Sequence, residues 1–200
     1  MSLVRRTKQE QPSKLKMLGF VFSEKPSIQA QLEYLTRKAN KRYFVLLHYK
    51  RAGIKRERLR DIYCSILRSI VEYSSNAYHP QLNNYQSNAL ENLQKRALRA
   101  IYGYDKSYPE LLNDSGLLRL SSRREAAFSK FNANTVKNPK YAHWFPLKPS
   151  LRHTRTANKY LEEHCSGNRL FKSPIYSMRR NLNKTCETPE IDLSGLFNKP

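Results

Sequence analysis

The sequence predicts a mainly α-helical protein: a small helical bundle that follows one short N-terminal strand and leads into an irregular, basic C-terminal arm. Three observations carry that prediction. Apolar residues recur every three or four positions through residues 27–136, the stripe of an amphipathic helix. Short runs of Gly, Pro, Asn and Ser punctuate those stretches, as connectors in a bundle do. Past Asn138-Pro139 the prolines crowd, at Pro139, Pro146 and Pro149, and the periodicity stops. With 39% hydrophobic residues in a chain of 200, one core and a tail can be built.

Residues 1–15 are polar and basic and read as a flexible leader. Leu18-Gly19-Phe20-Val21-Phe22 is short, aromatic and β-branched, hence a strand, and a lone strand needs a partner. From Ser27, placed after Pro26 as an N-cap, the residues Ile28, Leu32, Leu35, Ala39, Tyr43 and Leu46 align along one helix. Gly53 interrupts, and Leu59, Ile62, Tyr63, Ile66, Leu67 and Ile70 mark a second helix over 55–73. His79-Pro80 closes that segment. A third stripe, Leu90, Leu93, Ala97, Leu98 and Ile101, runs from Tyr85 or Gln86 to Tyr102, with Gly103 as C-cap. Tyr108–Leu112 and Leu117–Leu120 form two brief helical pieces around Asn113-Asp114-Ser115-Gly116, and a fourth helix covers Arg123–Val136. The strand and bundle therefore span 16–137, and the arm, extended and partly disordered, spans 138–200.

Charge narrows the partner. The 37 Lys and Arg outnumber the 16 Asp and Glu, a formal charge of +21, so an acidic polymer is expected. The excess is concentrated: Lys25, Arg37, Lys38, Lys41, Arg42, Lys50, Arg51, Lys55 and Arg56 stand against Glu33 alone. Residues 126–161 hold no carboxylate, and there Lys130, Lys137, Lys140, Lys148, Arg152, Arg155 and Lys159 alternate with aromatic residues. Cations neutralise phosphates and release counterions, while an aromatic ring can stack on an unpaired base. For Trp144 and Phe145, core packing is the preferred reading over base stacking.

Signatures of catalysis are missing from the sequence. Metal-dependent nucleotidyl transfer needs clustered carboxylates, and apart from Glu162-Glu163 the acids are scattered singly. The six glycines form no phosphate loop. His153, His164, Cys165 and Cys186 lack finger or knuckle spacing, so no metal and no cofactor is expected. No membrane partner is expected either, because no stretch approaches the ~18 apolar residues of a span. Lys8, Glu10 and Gln11 stand where a secretory signal would be apolar, and Cys64, Cys165 and Cys186 are too dispersed for a disulfide framework. A nuclear or cytoplasmic, non-secreted protein is the expectation.

Several segments, in order, resemble the end of the polymerase region of non-LTR (LINE-like) retrotransposon reverse transcriptases. Lys16-Met17-Leu18-Gly19-Phe20 is similar to that family's Lys-x-Leu-Gly strand, and Lys38-Ala39-Asn40-Lys41-Arg42 to the basic string on its next helix. The stretch from Tyr63 to Tyr73 resembles Tyr-x-Ser-x-Ile-Arg-Ser-x-x-Glu-Tyr, and that from Leu90 to Gly103 resembles Leu-Glu-x-x-Gln-Lys-Arg-Ala-Leu-Arg-x-Ile-x-Gly. Tyr108-Pro109-Glu110-Leu111-Leu112, Leu117–Leu120 and Arg123-Arg124 continue the order. The resemblance covers residue 16 to about 135, and more weakly 150–183.

The resemblance implies a thumb-like bundle lying near the primer–template duplex. The family's catalytic motifs, including the aspartate pair that would hold magnesium, lie upstream of Lys-x-Leu-Gly, and residues 1–14 do not resemble them. The expected chain is thus a C-terminal fragment of an RNA-directed DNA polymerase, inactive alone, with the missing palm and fingers as a possible partner. Lys38, Lys41, Arg42, Lys55, Arg56, Lys95 and Arg99 are the residues expected to meet the sugar-phosphate backbone of RNA or an RNA–DNA hybrid, independently of sequence. Tyr63, Glu72, Tyr73, Glu91 and Gln94, which sit beside apolar stripes, are expected to make buried or interhelical hydrogen bonds. The alternative is a self-standing helical interaction protein, derived from a transposon, whose charge serves acidic protein partners.

Overall fold

The computed structural model describes residues 14–23, 28–148, 159–162, 164, 167 and 171–187, with side chains as far as Lys184. Lys14–Met17 (β1) and Phe20–Ser23 (β2) pair antiparallel, with Leu15 opposite Phe22 and Lys16 opposite Val21. The single strand expected over 18–22 is thereby corrected to a hairpin. Leu18 and Gly19 both take positive φ, 48° and 76°, which turns the chain between two twisted strands. The leader boundary moves with it, since Lys14 and Leu15 belong to β1. Alternation sends Lys14, Lys16 and Val21 toward the helices, where the Val21 amide donates to Gln31 Oε1 at 2.8 Å and Lys16 lies over the Tyr34 ring at 4.8 Å. Leu15, Met17 and Phe22 point the other way and are exposed.

The architecture is mainly helical, as the sequence predicts. Gln29–Arg51 (α1) buries the expected Leu32, Leu35, Ala39, Tyr43 and Leu46. Ile28 precedes it without a capping side chain, and the predicted N-cap Ser27 lies outside the described residues. Arg56–Tyr63 (α2) runs through a π-helical turn, Cys64–Arg68, into Ser69–Glu72 (α3), so the second predicted helix is one rod with a widened turn. Two serines account for the widening. The Ser65 hydroxyl donates to the Asp61 carbonyl at 2.9 Å, and the Ser69 hydroxyl to that of Ser65, occupying acceptors that i−4 amides would otherwise use.

After Ser75–Tyr78 (α4) and a 3-10 turn at His79–Gln81, Asn84–Tyr102 (α5) begins at a capping box. The Gln86 amide donates to Asn83 Oδ1 at 2.8 Å and the Asn83 amide to Gln86 Oε1 at 3.1 Å. Tyr108–Ser115 (α6) also opens on a capping box, Ser107 with Glu110. Leu117–Leu120 is not a helical piece of its own: Leu120 starts Leu120–Val136 (α7), three residues before the expected Arg123. The first core joins α1 to α6 through residues such as Leu35, Leu46, Leu59, Tyr63, Leu98 and Leu111, and Leu120 closes it.

The arm predicted over 138–200 is more ordered than its prolines suggest. Pro139–Trp144 is a 3-10 helix, Leu147 bridges to Tyr160, and Pro174–Glu187 (α8) packs against α7. Phe128, Phe145, Tyr160, Met178 and Leu182 form a second core, with Tyr141 and Trp144 packed on it. Trp144 and Phe145 are therefore packing residues. The boundary at 138 gives way because α7 is longer than the first core needs, and its far half is covered by the chain that follows. Asn183 fixes the return: its Oδ1 accepts from the Tyr160 amide at 2.9 Å and its Nδ2 donates to the Tyr160 carbonyl at 3.1 Å.

Candidate nucleic-acid interface

Helices α1 and α5 lie side by side and run in the same direction. Gln86 Nε2 donates to Gln29 Oε1 at 3.5 Å near their starts, and further along Arg96 donates to Asn40 Oδ1. The Arg96 guanidinium also covers the Tyr43 ring at 4.3 Å, and Tyr104, just past α5, meets the Tyr43 hydroxyl. Burial, and then this tyrosine contact, push the Tyr43 phenol above its ordinary pKa, so it stays protonated.

Each helix carries one carboxylate, and both are occupied away from the shared groove. Glu33 lies 3.8 Å from Lys14 on the hairpin. Glu91 caps α7, accepting from the Leu120 and Ser121 amides at 3.1 Å each, and it also accepts from Tyr108. Residues 34–56 and 92–104 contain no acid, and the fold sets these two stretches against each other. Neither stretch therefore offsets its own positive charge or that of its neighbour.

The predicted phosphate contacts do not form one face. Lys38, Lys41 and Arg42 are all exposed on α1. At about 100° per residue, Lys38 and Arg42 lie about 160–200° round the helix from Asn40, on the flank away from α5. That corrects the expectation of a single clamp. Lys41 instead shares the outer stripe of α1 with Arg37, Phe44 and His48, spaced at helical intervals and all exposed. On α5, Arg99 is one turn beyond Arg96 and is half-buried, with its Nε enclosed and lacking a hydrogen-bond partner. Lys95 is turned about 100° from Arg96, away from α1. Lys55 and Arg56 are exposed at the start of α2, in the connector after α1.

Beside the α1/α5 contact stand the exposed Arg96 and, one turn on, the half-buried Arg99, while Arg37 and Lys41 lie on the outer stripe of α1; Arg37 and Arg96 are residues that sequence reasoning did not select. Arg37 could have been found from its four-residue spacing to Lys41. Arg96 could not, because periodicity identifies the buried face of α5 and leaves open which neighbour lies on either flank.

Of the five polar motif residues expected to make buried or interhelical bonds, Tyr63, Glu72, Glu91 and Gln94 do so, while Tyr73 is exposed and bonds the hairpin turn instead. Tyr63 donates to Gln94 Oε1 at 2.8 Å, and Gln94 Nε2 donates to the Tyr108 hydroxyl and the Leu118 carbonyl, both at 3.0 Å. Glu72 takes Arg123 Nε at 2.5 Å, a pairing that holds the guanidinium above its ordinary pKa. The Tyr73 hydroxyl donates to the Leu18 carbonyl at 2.8 Å and pins the hairpin turn. Among the described residues no group of metal-ligating side chains gathers, and the side chains of His153, Cys165 and Cys186 lie outside them. Among the described residues, too, no helix is long and apolar enough to cross a membrane. Compared with family models, curated proteins and solved structures, the chain matches none.

Proposed function

We propose that this chain is a non-catalytic, thumb-like region of a retrotransposon RNA-directed DNA polymerase, and that it binds the sugar-phosphate backbone of RNA or an RNA–DNA hybrid without sequence specificity. The pairing of two carboxylate-free helix stretches, α1 and α5, is the observation that carries the reading. Arg96 and Arg99 on α5, with Arg37 and Lys41 on the outer stripe of α1, present this charge, and backbone contacts of that kind position a duplex without reading its bases. The ordered motifs from Lys16 to Arg124 support the family assignment. The exposed apolar face of the hairpin, at Leu15, Met17 and Phe22, gives the missing palm and fingers a surface to cover.

Fluorescence anisotropy with a labelled RNA duplex and an RNA–DNA hybrid at rising salt tests the binding. Log affinity should fall linearly with log salt, by about 0.9 per neutralised phosphate on the B-form scale, with little dependence on sequence. A flat salt response would refute backbone binding. Template-dependent nucleotide incorporation by the purified chain would refute the non-catalytic assignment.

A further inference from the structure

We infer that the outer rim of the α1/α5 groove accepts an unpaired nucleotide, with Phe44 as the ring on which its base stacks. The inference rests on the polyanion binding proposed above and names the form of nucleic acid that this site favours. Helix α1 buries its apolar stripe, yet Phe44 stands outside that stripe with 62% of its surface exposed. The ring meets Tyr43 at 6.3 Å between centroids, nearly edge-on, which leaves a π-face to solvent. Its neighbours one turn away on the outer side are Lys41 and His48, and on the groove side Asn40 with its partner Arg96.

An exposed aromatic ring flanked by cations, on a helix surface without acids, suits single-stranded nucleic acid: the ring takes the base and the cations take the phosphates on either side of it. In a blunt duplex the bases are already stacked and paired, so Phe44 adds nothing there. The same charge disfavours an apolar protein segment as occupant, since such a segment would leave Arg37, Lys41 and Arg96 without counter-charge.

The test compares a labelled single-stranded oligoribonucleotide, the same oligomer with abasic sites, and a blunt RNA duplex, for the wild-type chain and for Phe44→Ala, Phe44→Leu and Phe44→Trp. Circular dichroism of each variant checks the fold, which an exposed position should leave intact. The expected result is a roughly fivefold to hundredfold loss of single-strand affinity in Phe44→Ala and Phe44→Leu, retention in Phe44→Trp, and duplex affinity changed by less than about twofold. Wild-type binding to the abasic oligomer should fall to the level of Phe44→Ala. Equal effects on single strand and duplex, or no effect on either, would overturn the stacking site and leave backbone binding standing. Failure of the wild-type chain to bind any of the three probes in a salt-dependent way would remove both, as would Phe44-dependent capture of an acidic peptide in preference to RNA.

Discussion

Gln94 ties α5 to its neighbours from the side opposite the cationic groove, so its removal tests whether the groove depends on a buried polar joint. The side chain is fully buried. In Gln94→Met the volume is roughly kept, but the Tyr63 hydroxyl loses its acceptor and the Leu118 carbonyl its side-chain donor. Tyr108 retains Glu91. The buried Tyr63 hydroxyl left unpaired costs about 1–3 kcal/mol, and the carbonyl of the exposed Leu118 adds little, so the variant should lose about 1–3 kcal/mol from a total of about 5–15. Tyr63→Phe alone leaves Gln94 Oε1 unpaired and Gln94→Met alone leaves the Tyr63 hydroxyl unpaired, while the double variant has neither orphan, so it should be about 2–6 kcal/mol more stable than the sum of the single effects. Urea unfolding followed by far-UV circular dichroism, with m-values checked for constancy, measures all four species. If Gln94→Met unfolds within about 0.5 kcal/mol of wild type, or if the two substitutions are additive, the hydrogen-bond chain is not what holds α5 in place.

Four further outcomes follow from the geometry. Arg96→Ala should weaken RNA binding at every sequence and lower the salt slope by about one phosphate, with Arg42→Ala, on the opposite flank, doing less; a reversed order in anisotropy titrations would relocate the groove. Lys55→Glu with Arg56→Glu should raise the urea midpoint while weakening polyanion binding, because it places acids at a helix N-terminus; a lower midpoint would contradict that. His79 is held below its ordinary pKa of 6.5 by burial and then by Arg124. The unfolded chain therefore takes up a proton near pH 6.5 that the folded chain refuses, and stability falls as pH drops below that value, by up to about 1.4 kcal/mol per pH unit; in His79→Gln the pH slope of urea unfolding should flatten there. Gly19→Ala should destabilise the hairpin, since its φ is +76° and a Cβ would lie 2.9 Å from the Tyr73 ring; unchanged protease susceptibility of the N-terminal segment would count against it.

The helices were legible because each buries a stripe at 3.6-residue spacing, and tertiary packing at Leu35, Leu59 or Leu98 follows that stripe directly. The hairpin was half legible. Residues 14–17 read Lys-Leu-Lys-Met, and their apolar side faces outward, so burial gave β1 no signature, and the turn at Leu18-Gly19 sat inside what looked like a strand. The second core escaped for a different reason: Phe145 and Tyr160 come from irregular chain, Phe128 and Met178 from separate helices, and residues so dispersed show no local period. At the candidate site, Lys41 and Arg99 were picked out by residue type alone, and Arg99 is half-buried. Which of the cations share a groove depends on α1 and α5 running parallel, a relation carried by Gln29–Gln86 and Arg96–Asn40 contacts across 56 or 57 residues of chain.

The charge at the start of α2 does not serve the helix itself. Cations near a helix N-terminus oppose its dipole, at about 0.3–1 kcal/mol each. Helix α2 nevertheless starts with Lys55 at the cap and with Arg56 and Arg58 in its first turn, against Glu57 alone, and lacks a capping side chain. Helix α7 follows Arg119 with no acid in its own first turn, but there Glu91 of α5 accepts from the Leu120 and Ser121 amides and supplies the negative charge. At the end of α1 the cations Lys50 and Arg51 are favourably placed, so the sequence does not simply scatter positive charge. Amide groups at a helix start and a cationic side chain both attract phosphate. An arrangement that weakens α2 in isolation therefore becomes favourable when an anion is present, because the same phosphate relieves the dipole and the side-chain repulsion together.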